Sequence, residues 1–130
     1  MTGFAVSLPS PLLVTGGAGF IGANFVHRAV ASGARVVTLD ALNYAGNRAS
    51  LASLDGNPNH TFVQGSIADR ALVDRLLARH RPRAVVNFAA ETHVDRSIDD
   101  PAPFVETNLV GTVTLLEAAR PHLRALPAAE

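Results

Sequence analysis

The 130-residue sequence is long enough for one domain with a modest core, and 48% apolar with 17% charged residues is typical of a globular protein. Eleven acidic residues balance eleven basic ones, all of them arginine, so the charge indicates neither a nucleic-acid-binding nor a membrane-surface protein. The absence of cysteine excludes disulfides and thiolate metal sites, and the first ten residues lack a secretory-signal pattern, so we expect a cytoplasmic protein.

Four short apolar runs predict β-strands at Leu12–Thr15, Arg35–Leu39, Thr61–Gln64 and Ala84–Ala89. Helical spacing predicts helices over Phe20–Ser32, from Asp69 as N-cap to just before Pro82, and over Pro103–Arg120, with a short helix at Arg48–Leu54. This alternation predicts a parallel four-stranded sheet in the order 3-2-1-4 with helices on both faces. We expect a lead-in at residues 1–10, one domain at 11–121 and a tail at 122–130.

Apolar stripes predict which face of each long helix is buried. On the first helix the stripe consists of Ile21, Phe25 and Ala29, with Val26 and Val30 beside it. On the last helix it consists of Val105, Leu109, Thr112, Leu116 and Ala119. Because proline lacks a backbone N–H, Pro121 is expected to end that helix.

A glycine-rich turn connects the first strand to the first helix. Gly16, Gly19 and Gly22 recur at every third residue, directly after an apolar strand. Without Cβ atoms they permit a tight turn, close approach of the backbone to a pyrophosphate and close packing of the helix, whose N-terminal N–H groups point at the phosphates. Asp40 follows the second strand, 18 residues after Gly22, where a carboxylate binds the adenosine ribose. Together they predict a dinucleotide site.

Other side-chain combinations support no separate chemistry. His93 and Asp95 lie in the loop after the fourth strand and are expected to form a hydrogen-bonded loop rather than a catalytic pair. His27, His60, His80 and His122 share no ligand spacing, so no metal site is predicted. Asp99 and Asp100, just before Pro101, are expected to cap a helix.

Five segments of the chain resemble the extended short-chain dehydrogenase/reductase family and, within it, the dTDP-glucose 4,6-dehydratase branch. They run from residue 13 to 22, 39 to 47, 87 to 98, 106 to 112 and 115 to 120, so the resemblance covers nearly the whole chain. It implies a Rossmann-like doubly wound fold, seen here without its fifth strand, and NAD as the cofactor. The sugar nucleotide dTDP-glucose is the implied substrate of the complete enzyme.

The resemblance also implies positions for the cofactor contacts. On the glycine loop they are Gly16, Gly19, Phe20, Ile21 and Gly22. After the second strand they are Asp40, Ala41, Leu42 and Asn43, and after the third strand Ser66 and Ile67. After the fourth strand and on the last helix they are Phe88, Ala89, Ala90, Glu91, Thr92 and Thr107. Thr92 is also the implied substrate contact. Ser66 stands where the family usually has Asp, accepting from the adenine amino group, and Ala41 where it often has Lys. A hydroxyl accepts less strongly than a carboxylate, and alanine provides no donor, so each change weakens NAD binding by about 1 kcal/mol.

The family's catalytic groups have no counterpart in this sequence. The resemblance implies that NAD takes hydride from C4 of the hexose, that water leaves across C5 and C6, and that hydride returns to C6. A Thr-Asp-Glu segment and a Tyr-x-x-x-Lys helix perform the acid–base steps. The sequence has no lysine, and its single tyrosine, Tyr44, is followed four residues later by Arg48. We therefore expect the 130-residue chain alone to be inactive, as a fragment, a truncated gene product or half of a split protein.

Two alternatives remain at this point. The chain could be a catalytically silent NAD-binding module that acts through a partner, or part of another nucleotide-sugar dehydratase or epimerase. In either case the fourth strand, Ala84–Ala89, carries no charge, proline or glycine that would protect an exposed sheet edge. We therefore expect the chain to self-associate or to need a complementing C-terminal half.

Overall fold

The computed structural model of the protein describes residues 7–42, 47–90 and 98–127, apart from the side chain of Phe104. Four parallel strands form one sheet in the order β3-β2-β1-β4, which confirms the predicted topology. They are β1 at Leu12–Thr15, β2 at Val36–Asp40, β3 at His60–Gln64 and β4 at Ala84–Asn87. Strand β2 therefore includes Asp40, and β4 ends two residues before the predicted boundary.

The helices alternate with the strands, as predicted. Helix α1 is Phe20–Ala31, a 3₁₀ helix spans Arg48–Leu54, and α2 is Arg70–His80, whose N-cap Asp69 accepts a hydrogen bond from the backbone N–H of Leu72. The C-terminal helical stretch begins with α3, Pro101–Val105, passes through a π-helical segment, Glu106–Gly111, and continues as α4, Thr112–Ala125. Asp100 is the N-cap residue of α3, but its side chain makes no capping hydrogen bond.

Alternate residues of the central strand β1 supply the cores of two opposite layers. Leu12 and Val14 point to the layer that contains α1 and the 3₁₀ helix, whereas Leu13 points to the layer of α2 and α4. All residues of β1 and β2 are buried, as expected for strands covered on both faces. Because all four strands are parallel, their carboxyl ends lie at the same edge of the sheet. Ligands bind at this edge in open α/β sheets.

The buried face of α4 differs from the predicted stripe. Leu115, Ala118 and Ala119 pack inward together with Gly111, while Val105, Leu109 and Leu116 are 45, 62 and 59% exposed. The π-helical segment, with its wider turn, shifts the helical phase between Val105 and Thr112, so a constant 3.6-residue period selects the wrong face. The predicted stripe of Val105, Leu109, Thr112 and Leu116 was therefore wrong, and Ala119 alone of that stripe is buried.

Pro121 lies inside α4 rather than at its end, so the predicted helix end was wrong. Two hydrogen bonds hold the following turn in place: His122 donates from Nε2 to the carbonyl of Pro82 at 2.8 Å, and Arg83 donates to the carbonyl of Pro127 at 3.2 Å. The His122 bond ties the helical turn after Pro121 to the segment before β4, and the Arg83 bond ties the chain just after the helix to the same segment. Within the described part of the chain, no helix is long and apolar enough to cross a membrane.

His60, at the start of β3, sits in a polar group beneath the 3₁₀ helix. Its Nε2 shares a 2.9 Å hydrogen bond with Thr38 Oγ1, and the guanidinium of Arg48 lies 4.5 Å above the ring centre of Phe62 and pairs with Asp55. Burial, followed by the charge of Arg48, lowers the pKa of His60 below its ordinary 6.5, and His27 acts in the same direction while Asp55 opposes it. Burial also lowers the pKa of His80, with Arg79 contributing.

We expect acid to destabilise this fold through His60. Because the folded-state pKa lies below the unfolded value of 6.5, the unfolded chain binds more protons, and stability is lost as the pH falls through and below 6.5. The melting temperature should therefore fall between about pH 7.5 and pH 5.5, measured by circular dichroism. His60→Gln, which keeps a hydrogen-bonding group for Thr38, should flatten this dependence, and His80→Gln should flatten it separately. If the variant that carries both substitutions kept the pH dependence of the unmodified chain, the destabilisation by acid would not arise from His60 and His80.

Candidate functional site

A cleft opens at the carboxyl edge of the sheet, where the chain leaves all four strands. Its walls come from the glycine loop, the ends of β2 and β3, the segment after β4 and the π-helical segment. The lining residues are Gly16, Gly19, Leu39, Asp40, Ala41, Gly65, Ser66, Ile67, Phe88, Ala89, Ala90 and Thr107. Backbone hydrogen bonds of 2.8 to 3.0 Å continue the sheet to its rim, from Gly16 to Leu39, from Phe88 to Thr15 and from Gly65 to Asp40.

The glycine loop is shaped by two positions that have no room for a side chain. Gly16 has a φ of +70°, and a Cβ there would overlap the backbone of Phe88 and Ala89 after β4. A Cβ on Gly22 would overlap the carbonyl oxygen of Gly16. The third glycine of the motif thus lets the first turn of α1 pack on the loop itself rather than on the sheet. This places the N-terminus of α1 at the cleft.

The N-terminus of α1 is suited to an anion. The N-cap is Gly19, and the first helical turn carries no acidic side chain. The first N–H groups of a helix lack intrahelical acceptors and carry the positive end of the helix dipole. A phosphate in the cleft would therefore be bound by the backbone rather than by a cationic side chain.

Asp40, at the end of β2, is buried with 7% exposure and is held by two backbone donors. Its Oδ2 accepts from the N–H of Ala18 in the glycine loop and its Oδ1 from the N–H of Leu42, both at 2.8 Å. Each carboxylate oxygen has a second lone pair, so a pair of ribose hydroxyls could still bind. The same side chain therefore fixes the distance between the glycine loop and β2.

The far side of the cleft is formed around β4. Asn87 Oδ1 accepts from Thr15 Oγ1 at 2.5 Å and from the N–H of Ala89 at 3.0 Å, which connects the ends of β1 and β4. The ring of Phe88 packs on Phe25 of α1, with 5.6 Å between ring centres. Phe88 thereby anchors the start of the segment that continues to Ala90, and this wall is apolar.

The structure brings ten of the predicted cofactor residues to the cleft: Gly16, Gly19, Asp40, Ala41, Ser66, Ile67, Phe88, Ala89, Ala90 and Thr107. Four others do not line it. Gly22 packs behind the loop, Leu42 packs into the core, and Phe20 and Ile21 are 85 and 67% exposed. The assignment of Ile21 to the buried stripe of α1 was therefore wrong, because the first turn of the helix projects beyond the sheet.

Three predicted positions, Asn43, Glu91 and Thr92, lie outside the described residues, as do Tyr44, His93 and Asp95. Two lining residues, Leu39 and Gly65, were missed by the sequence analysis. Gly65 could have been found as the first residue after β3, since a strand end at this edge borders the ligand. In residues 7–42, 47–90 and 98–127, no group of His, Asp or Glu could hold a metal ion.

Comparisons with known proteins agree with this architecture. The model of the family described as GDP-mannose 4,6 dehydratase matches residues 13–127. A dTDP-glucose 4,6-dehydratase of Xanthomonas campestris pv. campestris strain B100 is 65% identical over 115 residues, which is 88% of this chain and 33% of that protein. The chain thus spans about a third of the length of the curated relatives it matches.

Solved structures of such proteins superpose on most of the chain. DesIV, a dTDP-glucose 4,6-dehydratase of Streptomyces venezuelae with NAD and TYD bound, has a TM-score of 0.76 and 51% identity over 85% of this chain and 36% of its own. A UDP-glucose 4-epimerase of Thermotoga maritima with UDP-glucose has a TM-score of 0.76 and 36% identity, covering 85% and 34%. Since the family model covers most of its length, the chain belongs to the family described as GDP-mannose 4,6 dehydratase.

Proposed function

We propose that residues 11–121 bind NAD and form the cofactor-binding part of a nucleotide-sugar 4,6-dehydratase that acts on dTDP-glucose. The observation that carries this proposal is the cleft, where a glycine loop and a buried carboxylate on the neighbouring strand lie at the carboxyl edge of a parallel sheet. The activity is proposed by analogy with the 65% identical relative, a dTDP-glucose 4,6-dehydratase.

The cleft residues fit an extended dinucleotide. Gly16, Gly19 and the first N–H groups of α1, at Phe20 and Ile21, would hold the pyrophosphate, and Gly22 would act indirectly by letting the helix pack on the loop. Asp40 and Ala41 would face the adenosine ribose, and Leu42 would act through its N–H on Asp40. Ser66 and Ile67 would face the base. The remaining residues would surround the nicotinamide end: Phe88, Ala89, Ala90, Glu91, Thr92 and Thr107, with Asn43 near the ribose and Thr92 also near the sugar nucleotide.

NAD, when bound, would supply the hydride acceptor and donor of the reaction. The residues of this chain would position it and exclude water from one side of the nicotinamide, because the wall built on Phe88 and Ala89 is apolar. The sequence offers no Tyr-x-x-x-Lys pair for the proton transfers. We infer that acid–base catalysis requires groups beyond these 130 residues. The predicted cytoplasmic location stays a prediction.

Two other functions are compatible with the same cleft. The structural likeness to a UDP-glucose 4-epimerase favours a related nucleotide-sugar enzyme as the second candidate. A silent NAD-binding module that acts through a partner is the third. An adjacent reading frame that encodes Thr-Asp-Glu and Tyr-x-x-x-Lys segments would favour an enzyme over the silent module.

The purified 130-residue chain should not convert dTDP-glucose in the presence of NAD. The physical reason is the absence of the acid–base groups. Loss of hydride from C4 requires that the proton of the C4 hydroxyl be accepted by a base, and the chain does not supply the family's base. Mass spectrometry of the sugar nucleotide would detect loss of water, with the Xanthomonas campestris relative as the positive control. Turnover by the pure chain would contradict the proposal that acid–base catalysis requires groups beyond these 130 residues.

The chain should bind NAD at least about tenfold more tightly than NADP, equivalent to about 1.4 kcal/mol. The buried carboxylate of Asp40 would repel a 2′-phosphate, and no cationic side chain is present at Ala41 or Leu42. When calorimetry is used to measure the two dissociation constants, Asp40→Ala should bind NAD and NADP with similar affinity. Absolute affinities should also fall, because the N–H groups of Ala18 and Leu42 lose their acceptor.

The matched control for Asp40 is Asp74→Asn, at an exposed carboxylate on α2 that pairs with Arg70. This variant should keep the preference of the unmodified chain. Equal affinities of the unmodified chain for NAD and NADP would contradict the role of Asp40.

We expect the 130-residue chain to self-associate or to need a complementing C-terminal half. In the described part of the chain, β4 pairs on one side only, with β1, and its residues are no more than half-buried. The outer face of the last helix exposes Leu109, Val113 and Leu116. Open strand edges and apolar patches both favour association.

Sedimentation and thermal melts over a concentration series test this expectation. Leu116→Glu should weaken association without disturbing the fold, because that side chain is 59% exposed. Ala71→Glu, at an exposed position of α2, is the control and should change nothing. A monomer whose high melting temperature is independent of concentration would show that the edge and the helix face need no partner.

A further inference from the structure

Ser66 lines the cleft two residues after the end of β3. Its neighbour Gly65 donates a backbone hydrogen bond to the carbonyl of Asp40 at 3.0 Å, which holds Ser66 beside the chain that leaves β2. The Ser66 side chain is half-buried and lines the cleft. In the proposed mode of binding, the pyrophosphate lies over β1 and the ribose over β2. The purine base therefore lies over the end of β3, beside Ser66.

One acceptor site of the Ser66 hydroxyl is already used within the protein. Its Oγ accepts a hydrogen bond from the N–H of Ala68 at 3.0 Å, closing the turn that leads to α2. A hydroxyl has one O–H donor and two acceptor lone pairs. The O–H and one lone pair therefore remain for the ligand, and the hydrogen can rotate to suit either a donor or an acceptor.

This bifunctional group can satisfy two kinds of purine edge. Adenine presents an amino donor at C6 and an acceptor at N1, whereas hypoxanthine presents a carbonyl acceptor at C6 and an N1–H donor. The Ser66 hydroxyl can accept from the amino group or donate to the carbonyl oxygen. A carboxylate at the same position would only accept, and it would repel a 6-oxo group.

We propose that Ser66 makes the base subsite tolerant, so that the cleft accepts dinucleotides with a 6-amino or a 6-oxo purine. This inference rests on the proposed binding of NAD and adds a specificity-determining residue to that site. Specificity at a polar contact arises when the wrong ligand leaves a group unpaired, and the Ser66 hydroxyl can pair with the group at C6 of either base.

The test is calorimetric titration of the 130-residue chain with NAD and with nicotinamide hypoxanthine dinucleotide. For the unmodified chain, the two dissociation constants should agree within about threefold. Ser66→Asp should shift their ratio about tenfold or more toward NAD. Ser66→Thr keeps the hydroxyl and should retain the ratio of the unmodified chain. Circular dichroism of each variant verifies that it is folded.

The outcomes separate this inference from the function on which it rests. Tight NAD binding with more than about tenfold discrimination by the unmodified chain would overturn the role of Ser66 and leave the cofactor assignment intact. An unchanged or reversed ratio in folded Ser66→Asp would also overturn it, since Ser66 would then not face position 6 of the base. A folded chain that binds neither dinucleotide would overturn both proposals.

Discussion

The two hydrogen bonds of the Asp40 carboxylate are the constraint on which the site depends. They draw the N–H of Ala18 and the N–H of Leu42 to one buried acidic group, so that the glycine loop and the exit from β2 keep a fixed separation. A buried carboxylate is tolerated only when it is hydrogen-bonded, and here the backbone supplies the donors. In the proposed mode of NAD binding, one side chain would consequently both recognise the ribose and set the shape of the glycine loop.

The described lining of the cleft contains no cationic side chain. Among the described residues that line it, Asp40 is the one charged group, and the sequence as a whole contains no lysine. Attraction for a pyrophosphate therefore has to come from backbone N–H groups and the dipole of α1. Such donors are fixed in direction by the fold, so affinity depends on Gly16 and Gly22 keeping the backbone close.

Most of the fold and of the cleft could be predicted from the sequence, because the signals are local. A strand, a glycine turn and a helix occur in order, and parallel pairing then places every strand end at one edge. The failures concern tertiary contacts. The buried face of α4 depends on a π-helical segment, the helix continues past Pro121 to a turn in which His122 bonds to the segment before β4, and Ile21 projects beyond the sheet. The turn that engages the Ser66 hydroxyl likewise has no sequence signature.

The contact between the π-helical segment and the cleft makes the two faces of the last helix differ in how much change they tolerate. A Cβ on Gly111 would lie 2.5 Å from Cγ1 of Ile67, so the helix backbone rests against a residue of the cleft floor and no larger residue fits there. The opposite face carries Leu109 and Leu116, which are exposed and are not among the residues that line the cleft. A bulkier residue at Gly111 would push the helix away from Ile67 and reshape the cleft, whereas a change of similar size at Leu109 or Leu116 would meet solvent and leave the cleft as it is.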